Sequence, residues 1–552
     1  MREIAGTVHV RQSRPRGLSS TSGPSGASLA LVAVVMTVLL VAGLITVAFI
    51  AAPPHVTSVL LVVLDTVRAD HCSACGYGLP TTPRLERLAA EGLLFEHARA
   101  VAPWTLPSHA SLFTGKLPRQ HGCHWEHRWL ADSQETIAET LRDHGFDTFG
   151  VTTNPNASSL YHLDQGFSTF VETWRLREAH RGLSDSAIAC AEVRGWLSGH
   201  DPERPFFVFV NLADAHLPYA PAAPWDEFFG KPDDHARRLA SRGDLLQAVM
   251  GGEESVRPED RAGLSALYDG EIRSADARLG ELVDLLDELE LAEDTLIIVT
   301  SDHGEQLGEE GRVDHQLSLD EALLRVPLVV RHRRRVRPAR VREPVALTDV
   351  KGWLDDVAAG RVPEWSPPPD RAPLAFVAQY QRPVDLVDLV RARGGDASAI
   401  DRRLSSAFRP APGGGIKLVV PEPGIESLWR VDAAGSERAL GAAEAEGVTE
   451  LRRFLAERLA LDPMVESDED LAPAASGDPR ELAELRRLGY VGAAAPGGAG
   501  IHASEHWSAG LRARASDDLE LARLELVRAG SLAPGEAAIA RLLAEVERAL
   551  AR

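Results

Sequence analysis

Four segments of the chain place chemistry-bearing side chains directly after runs of apolar and β-branched residues. Asp65 follows SVLLVVL (Ser58–Leu64), Asn154 and Asn156 follow FDTFGVTT (146–153), Asp214 and His216 follow FFVFVNL (Phe206–Leu212), and Asp302 and His303 follow TLIIVTS (295–301). Continuous apolar runs of this kind suit strands covered on both faces, as in a parallel sheet. In open α/β sheets ligands sit beyond the carboxyl ends of the strands, so these four segments deliver acids, histidines and amides to one rim. Two carboxylates and a histidine meeting there are suitable ligands for a divalent ion. The segment PWTLPSHASLFTG adds a hydroxyl. Pro107 suits the first turn of a helix, which needs no amide donor there. Thr105 then stands just before the helix N-terminus, where free N–H groups and the helix dipole favour an anion. Taken alone, Thr105 reads first as a helix cap.

The elements that must position these residues alternate. A fifth apolar run, VPLVV (326–330), and helical patterns such as TTPRLERLAAEG and EIRSADARLGELVDLLDELEL lie among the strands. Strand-helix alternation predicts an α/β fold with a doubly wound, mostly parallel sheet. From about residue 360, Pro- and Gly-rich stretches separate short strand candidates (IKLVV, SLWRV), which suggests a small antiparallel sub-domain. Residues 463–480 read as a linker, ELAELRRLGYVG as a closing segment, and 501–552 as a helical hairpin broken at SLAPGE. Residues 29–52 (LALVAVVMTVLLVAGLITVAFIAA) carry no charge. As a helix they span ~36 Å, enough to cross a hydrocarbon core of ~30 Å. Arg2, Arg11, Arg14 and Arg16 precede this run, so the positive-inside rule leaves the N-terminus cytoplasmic and the catalytic part extracytoplasmic. The expected organisation is a cytoplasmic tail (1–28), a single transmembrane anchor (29–52), a catalytic α/β core (56–360), a C-terminal α+β sub-domain (361–492) and a helical tail (493–552).

Composition narrows the function. Of 552 residues, 80 are Asp or Glu and 59 are Lys or Arg, a formal charge of -21. That balance argues against nucleic acid as a partner, because phosphate neutralisation needs clustered cations. Four cysteines are too few for a disulfide scaffold, and Cys72-x-x-Cys75 lacks a thioredoxin-like context, so a structural role is expected. His121, His124 and His127 do not have the spacing of a structural zinc site. The run RHRRRVRPAR (331–340) reads as a solvated loop.

Taken together and in order, VVLDTVRADH, TLPSHASLFTG, HLPY and TSDHGE resemble the sulfatase family of the alkaline-phosphatase superfamily, over roughly residues 56–492. The resemblance implies a metal held by the acid after the first strand and by the Asp-His pair, with a nucleophile at the head of a helix. Departures from the family pattern matter as much. The family signature is Cys (or Ser)-x-Pro-Ser-Arg, whose first residue becomes formylglycine; here Thr105-Leu106-Pro107-Ser108-His109 stands in its place. Threonine carries a methyl group on its β-carbon and yields no such aldehyde. Thr66 stands where many sulfatases have a second acidic ligand, and the Gly-Lys-Trp-His element has no match in VTTNPNASS.

What remains resembles the threonine-using branch of phosphodiesterases, nucleotide pyrophosphatases and envelope phosphotransferases. Carried over residue by residue, it implies one divalent ion held by Asp65, Thr105, Asp302 and His303. An imidazole in the set favours zinc or manganese over calcium. Thr105 is then the nucleophile, His216 and His315 bind ester oxygens or protonate the leaving group, and His109, Asn154 and Asn156 bind substrate. Alternatively, His216 and His315 hold a second ion with Asp214. A threonine sulfate cannot expel sulfate by hemiacetal collapse, so the expected activity is hydrolysis of phosphoric mono- or diesters. The other readings are a sulfatase lacking formylglycine, an envelope phosphotransferase and an inactive recognition protein. An anchor about five residues from the first strand suits a lipid- or envelope-linked ester.

Overall fold

The computed structural model describes residues 58–365 apart from 126, most of 376–440, the stretches 448–461 and 479–488, parts of 519–550, and Met36 with Thr37. By contact density the chain divides into Met1–Pro54 and His55–Arg552. The anchor expected at 29–52 lies outside the described residues except for Met36 and Thr37, which are helical. Among the described residues no helix is long and apolar enough to cross a membrane.

The apolar runs form the strands expected of them. They are β1 (Ser58–Leu64), β2 (Leu93–Phe95), β3 (Ala98–Arg99), β4 (Asp147–Thr152), β5 (Thr169–Glu172), β6 (Phe206–Leu212) and β7 (Thr295–Thr300). After them come the short pair β8 (Gln306–Leu307) and β9 (Val313–Asp314), then β10 (Leu328–Arg331), β11 (Ala339–Val341) and β12 (Val345–Ala346). The main sheet has the order β11-β2-β10-β7-β1-β6-β4-β5. β1 pairs in parallel with both β6 and β7, and β4 with both β5 and β6. The fifth apolar run departs from the parallel pattern: β10 is antiparallel to both β7 and β2. Alternate residues of β1 feed two separate cores, Val59, Leu61 and Val63 on one face and Leu60, Val62 and Leu64 on the other. A run with no polar position is what a central strand between two layers requires. The helices Thr105–Thr114 and Asp260–Glu288 contribute to opposite cores, which is the doubly wound arrangement.

The Arg-rich run is only partly a loop. Arg331 ends β10 and is buried beside Glu91, Arg333 and Arg334 pair with Asp287, Glu293 and Asp294, and residues 339–341 make the edge strand β11.

The C-terminal part is the expected antiparallel sheet: β13 (Phe376–Tyr380), β14 (Arg403–Ala411), β15 (Gly414–Glu422), β16 (Ser427–Asp432) and β17 (Glu437–Ala439), in that order. The helix Val448–Leu461 covers one face through Leu451 and Leu455. In the tail, Ala522, Leu526 and Val546 pack together.

Buried charges join this sheet to the core. Arg99 Nη2 lies 2.6 Å from Glu321 Oε2 and its guanidinium stacks 3.5 Å from the Phe408 ring centre. Lys417 Nζ pairs with Glu437, stands 3.7 Å from Glu321 Oε1 and donates to Leu319 O at 2.8 Å. Removing one member leaves uncompensated charge in a low-dielectric interior. Lys417→Met is therefore expected to destabilise the protein by about 3 kcal/mol, measured as a lower midpoint of chemical unfolding; an unchanged midpoint refutes this coupling.

Candidate active site

Asp65, released from the end of β1, is fully buried. Its Oδ2 accepts from Asn211 Nδ2 at 2.9 Å and from Asn154 Nδ2 at 3.0 Å, while Oδ1 has no hydrogen-bond partner. Thr66 follows at φ 61°, a left-handed conformation that a β-branched side chain rarely adopts. Its surroundings impose it: Thr66 N donates to Asp302 Oδ1 at 3.2 Å, and the buried Tyr268 hydroxyl donates to Thr66 O at 2.6 Å.

Asp302 and His303 follow β7. Gly304 brings this loop against the helix Glu321–Leu324: its N–H donates to Leu323 O at 2.8 Å, and a β-carbon there would meet Ala322 O at 1.9 Å. His303 Nδ1 donates to Gly304 O at 2.8 Å, so Nε2 carries the lone pair. Burial and the neighbouring His315 hold this imidazole well below its ordinary pKa, and therefore neutral.

Thr105 is the first residue of its helix, with Trp104 as the cap. It is thus one position further in than expected, and the cap carries no side-chain hydrogen bond. Its hydroxyl lies 3.3 Å from His303 Nε2 and 3.4 Å from Asn154 Nδ2. Ser108 fixes the helix to the β7 loop by donating to Asp302 O at 2.6 Å.

Asp65, Asp302 and His303 each offer a ligand atom within 4.8 Å of the others. Burial, and then the facing Asp302, push the Asp65 carboxyl well above its ordinary pKa, and burial also raises Asp302. Asp302 Oδ2 is buried without a hydrogen-bond partner and lies 3.2 Å from the His303 Nε2 lone pair. Two lone-pair atoms this close, with an orphaned oxygen on each carboxylate, form a set that a divalent cation satisfies.

The other expected residues take distinct places. Asn154 Oδ1 accepts from Asn156 N at 2.9 Å, and Asn156 Nδ2 is buried without a hydrogen-bond partner, leaving a donor available at the rim. His109 is one helical turn beyond Thr105, and its Nδ1 lies 3.5 Å from Asp302 Oδ2. Its Nδ1 donates to Thr105 O at 2.9 Å, and its Nε2 lies 3.3 Å from Asn211 Nδ2, so it supports the scaffold around the ion. His216 donates from Nδ1 to Leu217 O at 2.6 Å, and its ring centre is 5.0 Å from that of His315. Burial and the His315 charge hold His216 to about 3, so it is neutral. His315 Nδ1 is 2.7 Å from Asp314 Oδ1 and 3.0 Å from Glu305 Oε1. Burial opposes a charged His315, but Asp314 and Glu305 outweigh it and raise its pKa well above the ordinary value.

Asp214 accepts from the Ser186 hydroxyl. A second group of converging ligand atoms is instead Glu305, Asp314 and His315, with Glu305 Oε2 buried and lacking a hydrogen-bond partner. Sequence reasoning missed Asn211, Glu305 and Asp314. Glu305 and Asp314 are adjacent to the motifs SDHG and HQ, and Asn211 is the one polar residue inside an apolar strand. The tempting histidines near 124 are otherwise engaged: His121 Nε2 is 2.9 Å from Ser111 Oγ, its Nδ1 accepts from Cys123 N at 3.0 Å, and His124 and His127 bridge through their backbones. Cys72 and Cys75 are free thiols.

A hydroxyl at the head of a helix, facing buried carboxylates and a neutral imidazole above a mostly parallel sheet, is an arrangement suited to cation-assisted hydrolysis of acid esters. A model of the Sulfatase family matches residues 57–354, more than half of the chain. The protein belongs to the sulfatase family, and is by that membership a hydrolase of phosphoric or sulfuric esters. It is similar to the multifunctional alkaline phosphatase superfamily protein PehA of Trinickia caryophylli, with 25% identity over 355 residues, 50% of this chain and 68% of the relative. It is also similar to iduronate 2-sulfatase of Mus musculus, with 23% identity over 326 residues, 50% of this chain and 59% of the relative. The crystal structure of a phosphonate monoester hydrolase of Agrobacterium radiobacter shares the fold, with a TM-score of 0.57 and 21% identity over 73% of this chain and 95% of that one.

The loop that carries His216 rests on a second buried acid. Glu271 accepts from Ala220 N at 2.7 Å, and burial, with Asp214 nearby, raises its pKa from 4.5 to about 8. A folded-state pKa above the unfolded value means stability that is fully present below pH 4.5 and is lost as pH rises through about 8. The melting temperature is expected to fall between about pH 5 and pH 8 by a few degrees more in the wild type than in Glu271→Gln; parallel curves would refute the assignment.

Proposed function

We propose that the protein hydrolyses phosphoric esters by way of a covalent ester on Thr105. The observation that carries this reading is the Thr105 hydroxyl at 3.3 Å from His303 Nε2, at the head of its helix and beside the Asp65–Asp302 pair. Asp65, Thr105, Asp302 and His303 would hold one divalent ion, with zinc or manganese favoured by the nitrogen ligand. Such an ion, when bound, lowers the pKa of the hydroxyl and offsets charge on the ester oxygens.

The chain's own groups do the rest. Thr105 gives its hydroxyl proton to solvent and Oγ1 attacks phosphorus in line, forming an Oγ1–P bond as the bond to the leaving oxygen breaks. Asn156 Nδ2 and the N–H groups at the helix head would hold the non-bridging oxygens. His315, whose Nδ1–H lies between two carboxylates, is the group built to keep a proton and passes one to the leaving oxygen from its other nitrogen. His315, left without that proton, takes one back from the water that cleaves the threonine ester in the second half-reaction, with neutral His216 beside it. Asn154, Asn211 and His109 position Asp65 and Thr105.

Phosphorus is preferred to sulfur because the return step here needs attack by water on the ester, whereas a formylglycine sulfate is released by collapse of a hemiacetal. We further propose that residues 29–52 anchor the chain, with the catalytic part outside the cytoplasm, and that the ester is lipid- or envelope-linked.

Metal content and turnover of the purified protein test this reading together. One equivalent of zinc or manganese and faster turnover of aryl phosphate mono- or diesters than of aryl sulfate are expected, and faster sulfate turnover reverses the ranking. Two equivalents would move His315 from proton donor to ligand, alongside Glu305 and Asp314. Thr105→Ala is expected to lower kcat by at least about 1000-fold with metal retained, and Asp302→Asn to lose both metal and activity. Wild-type turnover in Thr105→Ala removes it as nucleophile.

A further inference from the structure

Cys72 and Cys75 take no part in the proposed chemistry, yet the fold holds them against each other. Cys72 caps the short 3-10 helix Ser73–Cys75, and Cys75 ends it. Cys75 N donates to Cys72 O at 3.0 Å, and Tyr77 N donates to the same carbonyl at 3.1 Å. A turn closed by a bond of this kind keeps its end Cα atoms within about 7 Å, and disulfides span Cα separations of roughly 4.4–6.8 Å. The two residues between the cysteines are pinned from outside: Ser73 N donates to Thr81 Oγ1 and Ala74 N to Thr82 Oγ1, each at 3.1 Å. The two sulfurs are within hydrogen-bonding reach of each other.

The two thiols differ in the way a reacting pair requires. Cys72 is fully buried, and its Sγ donates to Arg68 O at 3.2 Å. Burial, and then Cys75, push its thiol well above the ordinary pKa. Cys75 is only half-buried, is followed by the exposed Gly76 at φ 104°, and lines a cavity of about 710 Å³. The Cys72 thiol draws Cys75 below its ordinary value. An accessible sulfur with more thiolate character is the one that attacks first. Packing accounts for a small apolar residue at position 72, but not for a second sulfur set against it at the edge of solvent. Cys123 and Cys190 are buried, and burial pushes both of their thiols up.

We infer that Cys72 and Cys75 are a redox-active dithiol that closes to an intramolecular disulfide when the protein meets a small organic disulfide. The Cys75 thiolate attacks one sulfur of that oxidant, forming a mixed disulfide and releasing one thiolate. Cys72 then gives its proton to solvent, and its sulfur displaces the second thiolate as the 72–75 bond forms. Two protein thiols lose two electrons and two protons in all, and one organic disulfide is reduced to two thiols. The cavity beside Cys75 has a volume within the range of about 300–1,000 Å³ that organic ligands occupy. Closure spans a single turn, and Arg68 O keeps His71 N as a donor at 3.3 Å when the Cys72 S–H is lost.

The test uses the full-length protein, equilibrated in mixtures of reduced and oxidised glutathione, quenched with acid, unfolded, alkylated, and read by intact mass and peptide mapping. In the oxidised mixture the wild type should carry two alkyl groups fewer than the reduced protein. The loss should map to a cross-link between residues 72 and 75, and excess reduced glutathione should reverse it. Cys72→Ser should stop at a glutathione adduct on Cys75, and Cys75→Ser should react at least about tenfold more slowly than the wild type. The wild-type measurement decides the matter even if a variant fails to fold, and none of these readouts depends on the hydrolytic reading. All four cysteines alkylated in every mixture, a glutathione adduct that persists on Cys75 of the wild type, or a pairing that includes Cys123 or Cys190 overturns the inference.

Discussion

Two carboxylates that face each other without solvent constrain this structure more than any other contact. Asp65 and Asp302 come from neighbouring parallel strands, β1 and β7, and both are fully buried. Each uses one oxygen in hydrogen bonds and leaves the other without a partner. Like charges so placed repel and are held near neutrality by their own surroundings, unless a cation lies between them. The fold accepts this because the strands that carry the pair are buried along their whole length, and because amide groups from β6 and the β4 loop hold one oxygen of Asp65.

Much of the surrounding architecture serves that pair. The left-handed Thr66 turns the chain sharply after Asp65 so that its N–H meets Asp302. The helix head brings the Thr105 hydroxyl to the same spot, and Ser108 ties it to the Asp302 carbonyl. Behind them, His109 and Asn211 extend the network into the aromatic core of Phe113 and Phe209. Strain in a loop and a firm scaffold behind it are the usual conditions for a precisely held reactive group.

The strands, and the meeting of Asp65 with Asp302 and His303, were legible in the primary structure because central strands are almost wholly apolar, so the acids that follow such runs mark their carboxyl ends. SVLLVVL-Asp65 and TLIIVTS-Asp302 are of this kind. The direction of β10 was not legible: VPLVV is as apolar as its neighbours, and only the antiparallel register with β7 and β2 reveals its sense. Nor was the difference between Asp214 and Asp314. Both stand close to a histidine of the site, but Asp214 points toward Ser186 on the helix Asp185–Ser198, while Asp314, at φ 64°, turns toward His315. That choice depends on backbone torsion in two loops, which residue types alone do not determine. One helical turn beyond Thr105, His109 reaches the Thr105 carbonyl and stands 3.5 Å from Asp302 Oδ2.

The ion cluster of Arg99, Glu321, Lys417 and Glu437 has an evolutionary consequence. Its members come from four separate parts of the chain, two in the catalytic core and two in the C-terminal sheet. A lineage drifting at one of these positions passes through an intermediate with a stranded charge, so the four are expected to be inherited as a block. Transplanting the small sheet from a relative onto this core would then succeed or fail according to whether the donor brings the matching pair of charges.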